Sequence, residues 1–423
     1  MGCCLSLLQR FHAADTSPLL NDFSSHGGAH QAESDILPPR WAATDVPFDA
    51  LVDLELLGSG GSCDVFSARF KGEAVAVKLL KRAADAQSVE DLLKEGKLLA
   101  EISAARPHRH VIRLIGSGTH PDGRPFLILE RLASTLSSLL PKPSIDIMAS
   151  LPTEADEVNC CTWALAASRW PLQRAVLAGY HLALALRHLH DGAAIPKHRI
   201  LHRDLKPDNI GFLADGGGLV LFDFGLASRW PIRRGSAGSG GASSGVGGGS
   251  ERTDGAGGEG GEGGGDGGEG GGGGGEGGGE GGGEGGGDDE EDAVRALTGQ
   301  TGSTRYMSPE VALSHPYGPA SEVFSFATIL WQLVSHERPF RGLTVADFER
   351  RVARGGERPK CPRRGWPAGL RSLLSDCWRA DPSERPKLGE VVERLERLLL
   401  ELAGQAAVPG AMTTREVAVV MDP

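Results

Sequence analysis

The chain has little of what marks a secreted, membrane-spanning or nucleic-acid-binding protein. Its 7 cysteines are odd in number and show no Cys-x-x-Cys spacing. That argues against a disulfide framework and suits a reducing compartment. No apolar run approaches the roughly 18 residues expected of a membrane-crossing helix. The longest, Val323 to Val334, is interrupted by Ser325, Thr328 and Gln332 and reads as a buried core helix. No basic start precedes a continuous apolar core, so a secretory leader is not expected. Excess basic charge is also missing: the formal net charge is −11. Ile232 to Asp292 accounts for it, with about 14 acidic residues against 3 basic ones. The rest is near neutral, which excludes a basic nucleic-acid-binding surface.

What is present is enough for a sizeable core, with 40% hydrophobic residues in 423. The start reads Met1-Gly2-Cys3-Cys4-Leu5-Ser6. Gly2 followed by Ser6 at this offset matches an N-myristoylation signal, and Cys3 and Cys4 are adjacent palmitoylation candidates. One acyl chain holds a bilayer weakly and two hold it stably, so the pairing predicts a membrane partner on the cytoplasmic face. Residues 13–45 mix Ser, Asp, His, Gly and Pro without a hydrophobic period and read as a flexible tether. Within them, Asp15, Leu19 and Leu20 read as linker in preference to an acidic dileucine sorting signal.

Strand signals begin near Asp49. Leu54, Leu56 and Leu57 lead into Gly58-Ser59-Gly60-Gly61-Ser62-Cys63-Asp64-Val65, and a second strand runs on to Phe70. Glycines at 58, 60 and 61 let backbone N–H groups approach anionic oxygens closely. Lys71-Gly72 is a hairpin turn signal, followed by the β-favouring Val75-Ala76-Val77 and Lys78. From Val89 to Ile102 the period becomes helical, with Leu92, Leu93, Leu98, Leu99 and Ile102 on one face. Phe126 to Leu132 reads as a buried strand, residues 133–170 as an irregular insertion, and Pro171 to His190 as an apolar helix. His108, His110, His188 and His190 read as packing or surface residues in preference to metal ligands.

The most informative stretch is Ile200-Leu-His-Arg-Asp-Leu-Lys-Pro-Asp-Asn-Ile210, followed by Asp223-Phe224-Gly225. Next comes a stretch, about 235–287, that is more than half glycine, and then Thr298 to Glu310 with Thr-Arg-Tyr-Met-Ser-Pro-Glu at its end. Ser321 to Phe326, Cys377-Trp378, Asp381-Pro382 and Arg385-Pro386 follow in order. These motifs resemble those of eukaryotic protein kinases, and of the tyrosine-kinase-like group of serine/threonine kinases in particular.

The resemblance implies an α+β two-lobe fold: a small antiparallel sheet with one helix, then a mainly helical lobe. The implied organisation is a lipid-anchored tether (1–48), a kinase domain (49–402, its lobes dividing at 132/133) and a tail (403–423), with a disordered insert at 232–292 inside the activation segment. Such a segment usually closes in about 20 to 35 residues and here takes about 85, but closure entropy grows only logarithmically with length. ATP with Mg²⁺ is the implied cofactor set. Asp204 would be the base and Lys206 would neutralise charge on the γ-phosphoryl group. Asn209 and Asp223 would hold Mg²⁺. Gly58, Ser59, Gly60, Gly61, Val65, Ala76, Lys78, Glu95, Glu130 and Leu132 would surround the nucleotide, with Glu95 pairing with Lys78 and Leu129 as gatekeeper. Leu99 would stack toward Phe224 and His202, and Ser303 would contact Asp204. Glu310 and Arg385 would form a buried ion pair. Two departures stand out: Cys63 replaces the third glycine of the Gly-rich loop, and Glu322 stands where the family carries Asp. Protein Ser/Thr hydroxyls are the implied acceptors. The rival reading is a pseudokinase scaffold, which Cys63 and Glu322 favour and the intact Lys78, Glu95, Asp204, Asn209 and Asp223 oppose.

Overall fold

The computed structural model describes residues 44–140, 170–213, 218–232 and 302–406, all within one contact unit. The acylation sites at Gly2, Cys3 and Cys4, most of the acidic insert and the tail beyond residue 406 lie outside the described residues.

Three strands open the fold: β1 (Leu51–Ser59), β2 (Cys63–Phe70) and β3 (Glu73–Leu80). Lys71 and Gly72 both take positive φ, at 52° and 83°, the left-handed pair that a two-residue hairpin turn requires. Strands β4 (Leu114–Thr119) and β5 (Pro125–Glu130) complete an antiparallel sheet in the order β1-β2-β3-β5-β4. Alternation along β3 and β5 buries Val75, Val77, Phe126 and Ile128 in one cluster with Leu51 and Phe70.

Helix α1 (Ala86–Ala105) begins at Asp85, whose side chain accepts the Ser88 amide. This N-cap lies one turn upstream of the helix start expected from periodicity. The helix buries Leu92, Leu98, Leu99 and Ile102, whereas Leu93 is 55% exposed and does not join that face. Gly96 sets how closely α1 lies on β5: a Cβ there would stand 2.7 Å from Leu127 Cδ2.

The second lobe is built on α2 (Leu172–His190), α3 (Ala320–Ser335), α4 (Ala368–Cys377) and α5 (Leu388–Ala406). Helix α3 is buried almost throughout, and its polar residues Ser321, Glu322, Thr328 and Gln332 are buried with the apolar ones. Helix α5 turns Val391, Leu395 and Leu398 inward, as its heptad-like spacing predicts. Two short sheets aim the loops that follow. Strand β7 (His198–Leu201) pairs with β10 (Ser228–Pro231), and β6 (Leu132–Thr135), β8 (Ile210–Leu213) and β9 (Leu219–Leu221) form the order β6-β8-β9. The segment after Leu132 is thus not wholly irregular: β6 and a helical turn at Leu136–Leu139 precede residue 141, where description stops until Trp170. Strand pairing with β8 overrides the weak local signal there. Residues 202–209 therefore leave β7 and return in β8, while Asp223 hangs just past β9.

Candidate active site

Lys78, on β3, is the hub of the site. Its Nζ stands 2.7 Å from Glu95 Oε2 on α1 and 2.8 Å from Asp223 Oδ1. Burial works to lower the ammonium's pKa, but the two carboxylates outweigh it and hold it above the usual lysine range. For Asp223, burial works to raise the pKa and Lys78 prevails in lowering it, so the carboxylate stays charged. Glu95 reaches further: its Oε1 accepts the Phe224 amide at 3.2 Å, tying the Asp-Phe-Gly turn to α1. Phe224 stacks edge-on against His202 at 4.9 Å, and Leu99 lies in the same buried cluster.

Below the hub, Asp204 Oδ2 lies 2.6 Å from Lys206 Nζ and 3.0 Å from Asn209 Nδ2. Asn209 also donates to the Asp204 carbonyl at 2.9 Å. The loop is thereby closed on itself, and the Asn209 side chain spends its N–H group on it, which directs the amide oxygen elsewhere. Ser303 Oγ reaches Asp204 Oδ1 at 3.4 Å, as expected. Gly302 (φ +94°) makes this approach possible: a Cβ there would lie 2.6 Å from the Arg203 carbonyl. A cleft beside Asp204 is lined by Arg203, Ser303, Tyr306, Met307 and Tyr317.

Glu322, one methylene longer than the family's Asp, still reaches the catalytic-loop backbone. Its Oε1 accepts the Arg203 amide at 2.6 Å and its Oε2 lies 2.6 Å from His190 Nε2. Burial would raise the carboxyl's pKa, but the His190 hydrogen bond and nearby positive charge hold it low. The longer side chain thus spans two partners inside the lobe. Glu310 and Arg385 form the expected buried pair, bidentate at 2.6 and 2.9 Å.

The Gly-rich turn is fastened in a way the sequence did not reveal. Ser59 Oγ donates to Asp64 Oδ1 at 2.7 Å, Lys81 Nζ donates to the Gly60 carbonyl, and the Gly60 amide bonds the Cys63 carbonyl at 2.8 Å. Cys63 sits at the start of β2, paired with Leu80, and burial pushes its thiol pKa up. Gly58 and Gly61 face no protein atom within 4 Å of a Cβ position, leaving an open roof. Val65 pairs with Lys78, and Ala76 with the gatekeeper position Leu129. At the hinge, the Glu130 amide donates to the Arg113 carbonyl at 3.2 Å while its side chain grips Arg113 at 2.8 Å. Leu132 opens β6.

Two side chains were missed by motif reading. Tyr317 bonds Arg203 Nε at 2.9 Å, and His181 stacks on His110 at 4.3 Å. Neither belongs to a local pattern. His108, His110, His188 and His190 are all buried packing residues.

The donor set fits a nucleotide with a divalent cation. Asp223 and Asn209 offer hard oxygen ligands at the two sides of the loop, and Lys78 and Lys206 supply fixed positive charge for phosphates. A protein kinase domain model matches residues 51–235, and a protein tyrosine and serine/threonine kinase model matches residues 287–395. The chain is 26% identical to serine/threonine-protein kinase mos of Xenopus laevis over 375 residues, covering 86% of this chain and 80% of that protein. It is 24% identical to dual specificity protein kinase shkB of Dictyostelium discoideum, over 82% of this chain and 40% of the other. Against serine/threonine-protein kinase VIK of Arabidopsis thaliana identity is 38%, over 25% of this chain and 24% of the other. The chain thus spans most of the first relative and less than half of the other two. The two protein kinase models together take in residues 51–235 and 287–395, they agree with the site geometry, and the chain belongs to the protein kinase family.

Proposed function

We propose that the chain is a catalytically competent kinase that transfers the γ-phosphate of ATP to Ser or Thr hydroxyls of proteins at a membrane surface. The observation that carries competence is Lys78 within 2.8 Å of both Glu95 and Asp223. That three-way contact aligns helix, strand and metal-binding turn in one arrangement. Lys78 binds and orients the α/β-phosphates under the Gly-rich turn. Asp204 accepts the proton of the acceptor hydroxyl, and Lys206, 2.6 Å away, offsets charge on the transferring group. Asn209 and Asp223 would hold a magnesium ion, whose charge would offset that of the phosphates and so reduce their repulsion of the nucleophile. Positioning and fixed charge supply the rate.

The test compares wild-type protein with Lys78→Met and Asp204→Asn in a phosphoryl-transfer assay, with circular dichroism to verify folding. Each variant should lose at least about 100-fold in kcat/KM, since each removes a contact made in the transition state and no core volume. A wild type no more active than both variants would instead establish the scaffold reading.

The membrane part of this reading rests on Gly2 with Cys3 and Cys4. No helix among the described residues is long and apolar enough to cross a membrane, so attachment would depend on acylation. Gly2→Ala should move the protein to the soluble fraction in cells, and Cys3→Ser with Cys4→Ser should do so only partly. A Gly2→Ala protein that stays fully membrane-bound refutes anchoring at this site.

A further inference from the structure

The loop after α3 carries two exposed arginines, Arg338 and Arg341, that flank Pro339 and Phe340. Arg305 binds that same short stretch: its Nη1 donates to the Pro339 carbonyl at 3.3 Å and to the Phe340 carbonyl at 2.8 Å. Arg305 and Arg338 thus share one corner of the helical lobe, Arg341 is exposed on the same short loop, and none of the three forms an ion pair with a described residue. The contrast with the neighbouring arginines is informative. Arg350, Arg351 and Arg354 are each matched to Asp347, Glu357 and Glu349, at 2.6, 2.7 and 2.8 Å. Glu337 is the acidic residue next to Arg338 in sequence, and it is exposed and forms no ion pair with a described residue.

The position of the corner matters. Ser303 touches the base Asp204, and Arg305 is two residues further along the same segment. Arg305 lies in the short 3-10 turn Thr304–Tyr306 that directly follows Ser303, so a peptide whose hydroxyl sits at Asp204 would carry its residues nearest the acceptor toward this corner. Burial foremost, and then the adjacent charge of Arg338, lower the pKa of the Arg305 guanidinium.

We infer that Arg305, Arg338 and Arg341 select acidic protein substrates, those with Asp or Glu within about three residues of the phosphorylated Ser or Thr. The inference rests on the kinase activity proposed above and names the substrate class of that same site. Exposed ion pairs are individually weak, so a set of two or three should favour an acidic peptide over its neutral counterpart by about tenfold. The preference should act through KM and fade as salt shortens the screening length.

The experiment uses the full chain and three series of serine peptides, identical except for aspartate, alanine or arginine runs placed before or after the acceptor. Turnover is measured together with peptide binding by fluorescence anisotropy. The expected result is about tenfold higher kcat/KM for the aspartate peptide on one side of the acceptor. Arg338→Glu with Arg341→Glu should erase or invert that ratio through KM and leave kcat on the alanine peptide unchanged. Equal handling of the three series by wild-type protein, or a preference that survives the double charge reversal, overturns the inference while leaving the kinase reading intact. Absence of turnover with charge-selective binding that the double variant loses would overturn the catalytic reading and leave the acidic-peptide surface standing. Absence of both would sink the two together.

Discussion

His190 Nε2 and Glu322 Oε2 meet at 2.6 Å inside the helical lobe, and the other oxygen of the same carboxylate holds the Arg203 amide at 2.6 Å. Arg203 has φ +67°, a strained conformation for a residue with a side chain, and it needs such a partner to persist. The glutamate therefore bridges α2 to the catalytic loop. Shortening it to aspartate should break one of the two bonds, although aspartate is the family's residue here. Glu322→Asp should lower kcat by roughly 10-fold, in line with the ~1.5–3 kcal/mol of a hydrogen bond to a charged group. Steady-state kinetics with protein substrate decide it. An unchanged or higher kcat would mean that the carboxylate's reach is immaterial.

The motifs carried most of this site because kinase chemistry uses residues at short, fixed spacings. Asp204, Lys206 and Asn209 come from one loop, and Lys78 lies on a strand read directly from its β-branched run. Partners brought together by tertiary packing were not legible. His190 and Glu322 are 132 residues apart, and Lys81 grips the Gly-rich turn from the end of β3 with no pattern to announce it. The misreadings have similar causes. Leu93 fits the apolar period of α1 yet faces solvent, because the sheet covers only part of that stripe. Strand β6 lacked a signal because its pairing with β8 crosses the whole of α2.

The ion pair of Arg385 with Glu310 supports the fold and does no chemistry. Arg385 bonds the carbonyls of Arg379 and Ala320 as well as the carboxylate, so it joins three segments at a buried point. Arg385→Ala leaves Glu310 buried without its partner and should cost ~3–5 kcal/mol. Thermal unfolding should show a drop of about 10 °C or more. Specific activity per folded molecule, measured at low temperature, should stay within a few-fold of wild type. A variant that keeps its melting temperature would show that water or neighbouring groups satisfy Glu310.

Arg203 precedes the base and bonds Tyr317, at the mouth of the cleft beside Asp204. A phosphate on the activation segment brings about −1.5 to −2 charges to one place. The insert's carboxylates are single charges, most of them spaced by glycines and five consecutive at 288–292, and each competes weakly at high dielectric. Thr298 and Thr301, outside the described residues, are the acceptors that flank the docking segment. Thr298→Ala with Thr301→Ala should therefore lower activity several-fold, whereas deletion of residues 235–287 should leave basal activity near wild type. Measuring both beside wild type separates the cases: an inactive deletion with a normal double alanine would make the insert a working part.

Four histidines, three of them buried and His181 half-buried, link helix α2 to the segment that follows α1. His188 stacks on His108 at 4.7 Å, His108 lies 5.5 Å from His110, and His110 stacks on His181 at 4.3 Å. Their hydrogen bonds suit neutral rings: His110 Nδ1 donates to the Leu219 carbonyl and His188 Nε2 to the Arg106 carbonyl, while His108 Nδ1 accepts the His110 amide. The charges facing the stack are Arg106, Arg109 and Arg187, all of the same sign. Burial, with these cations, lowers His181 to about 3 and His188 to about 4, from an ordinary 6.5. The unfolded chain therefore takes up protons below about pH 6.5 that the folded chain refuses until about pH 4 for His188 and about pH 3 for His181. Stability should be full above pH 7 and fall as pH drops through this window, by roughly 1.4 kcal/mol per pH unit for each histidine involved. Urea unfolding between pH 5 and 8 reads the slope directly. His181→Phe keeps a flat ring against His110 and cannot titrate, so its slope should be shallower by about one proton whatever its absolute stability. An identical slope in wild type and variant would show that His181 is protonated in the folded protein and that the stack is no brake on acid unfolding.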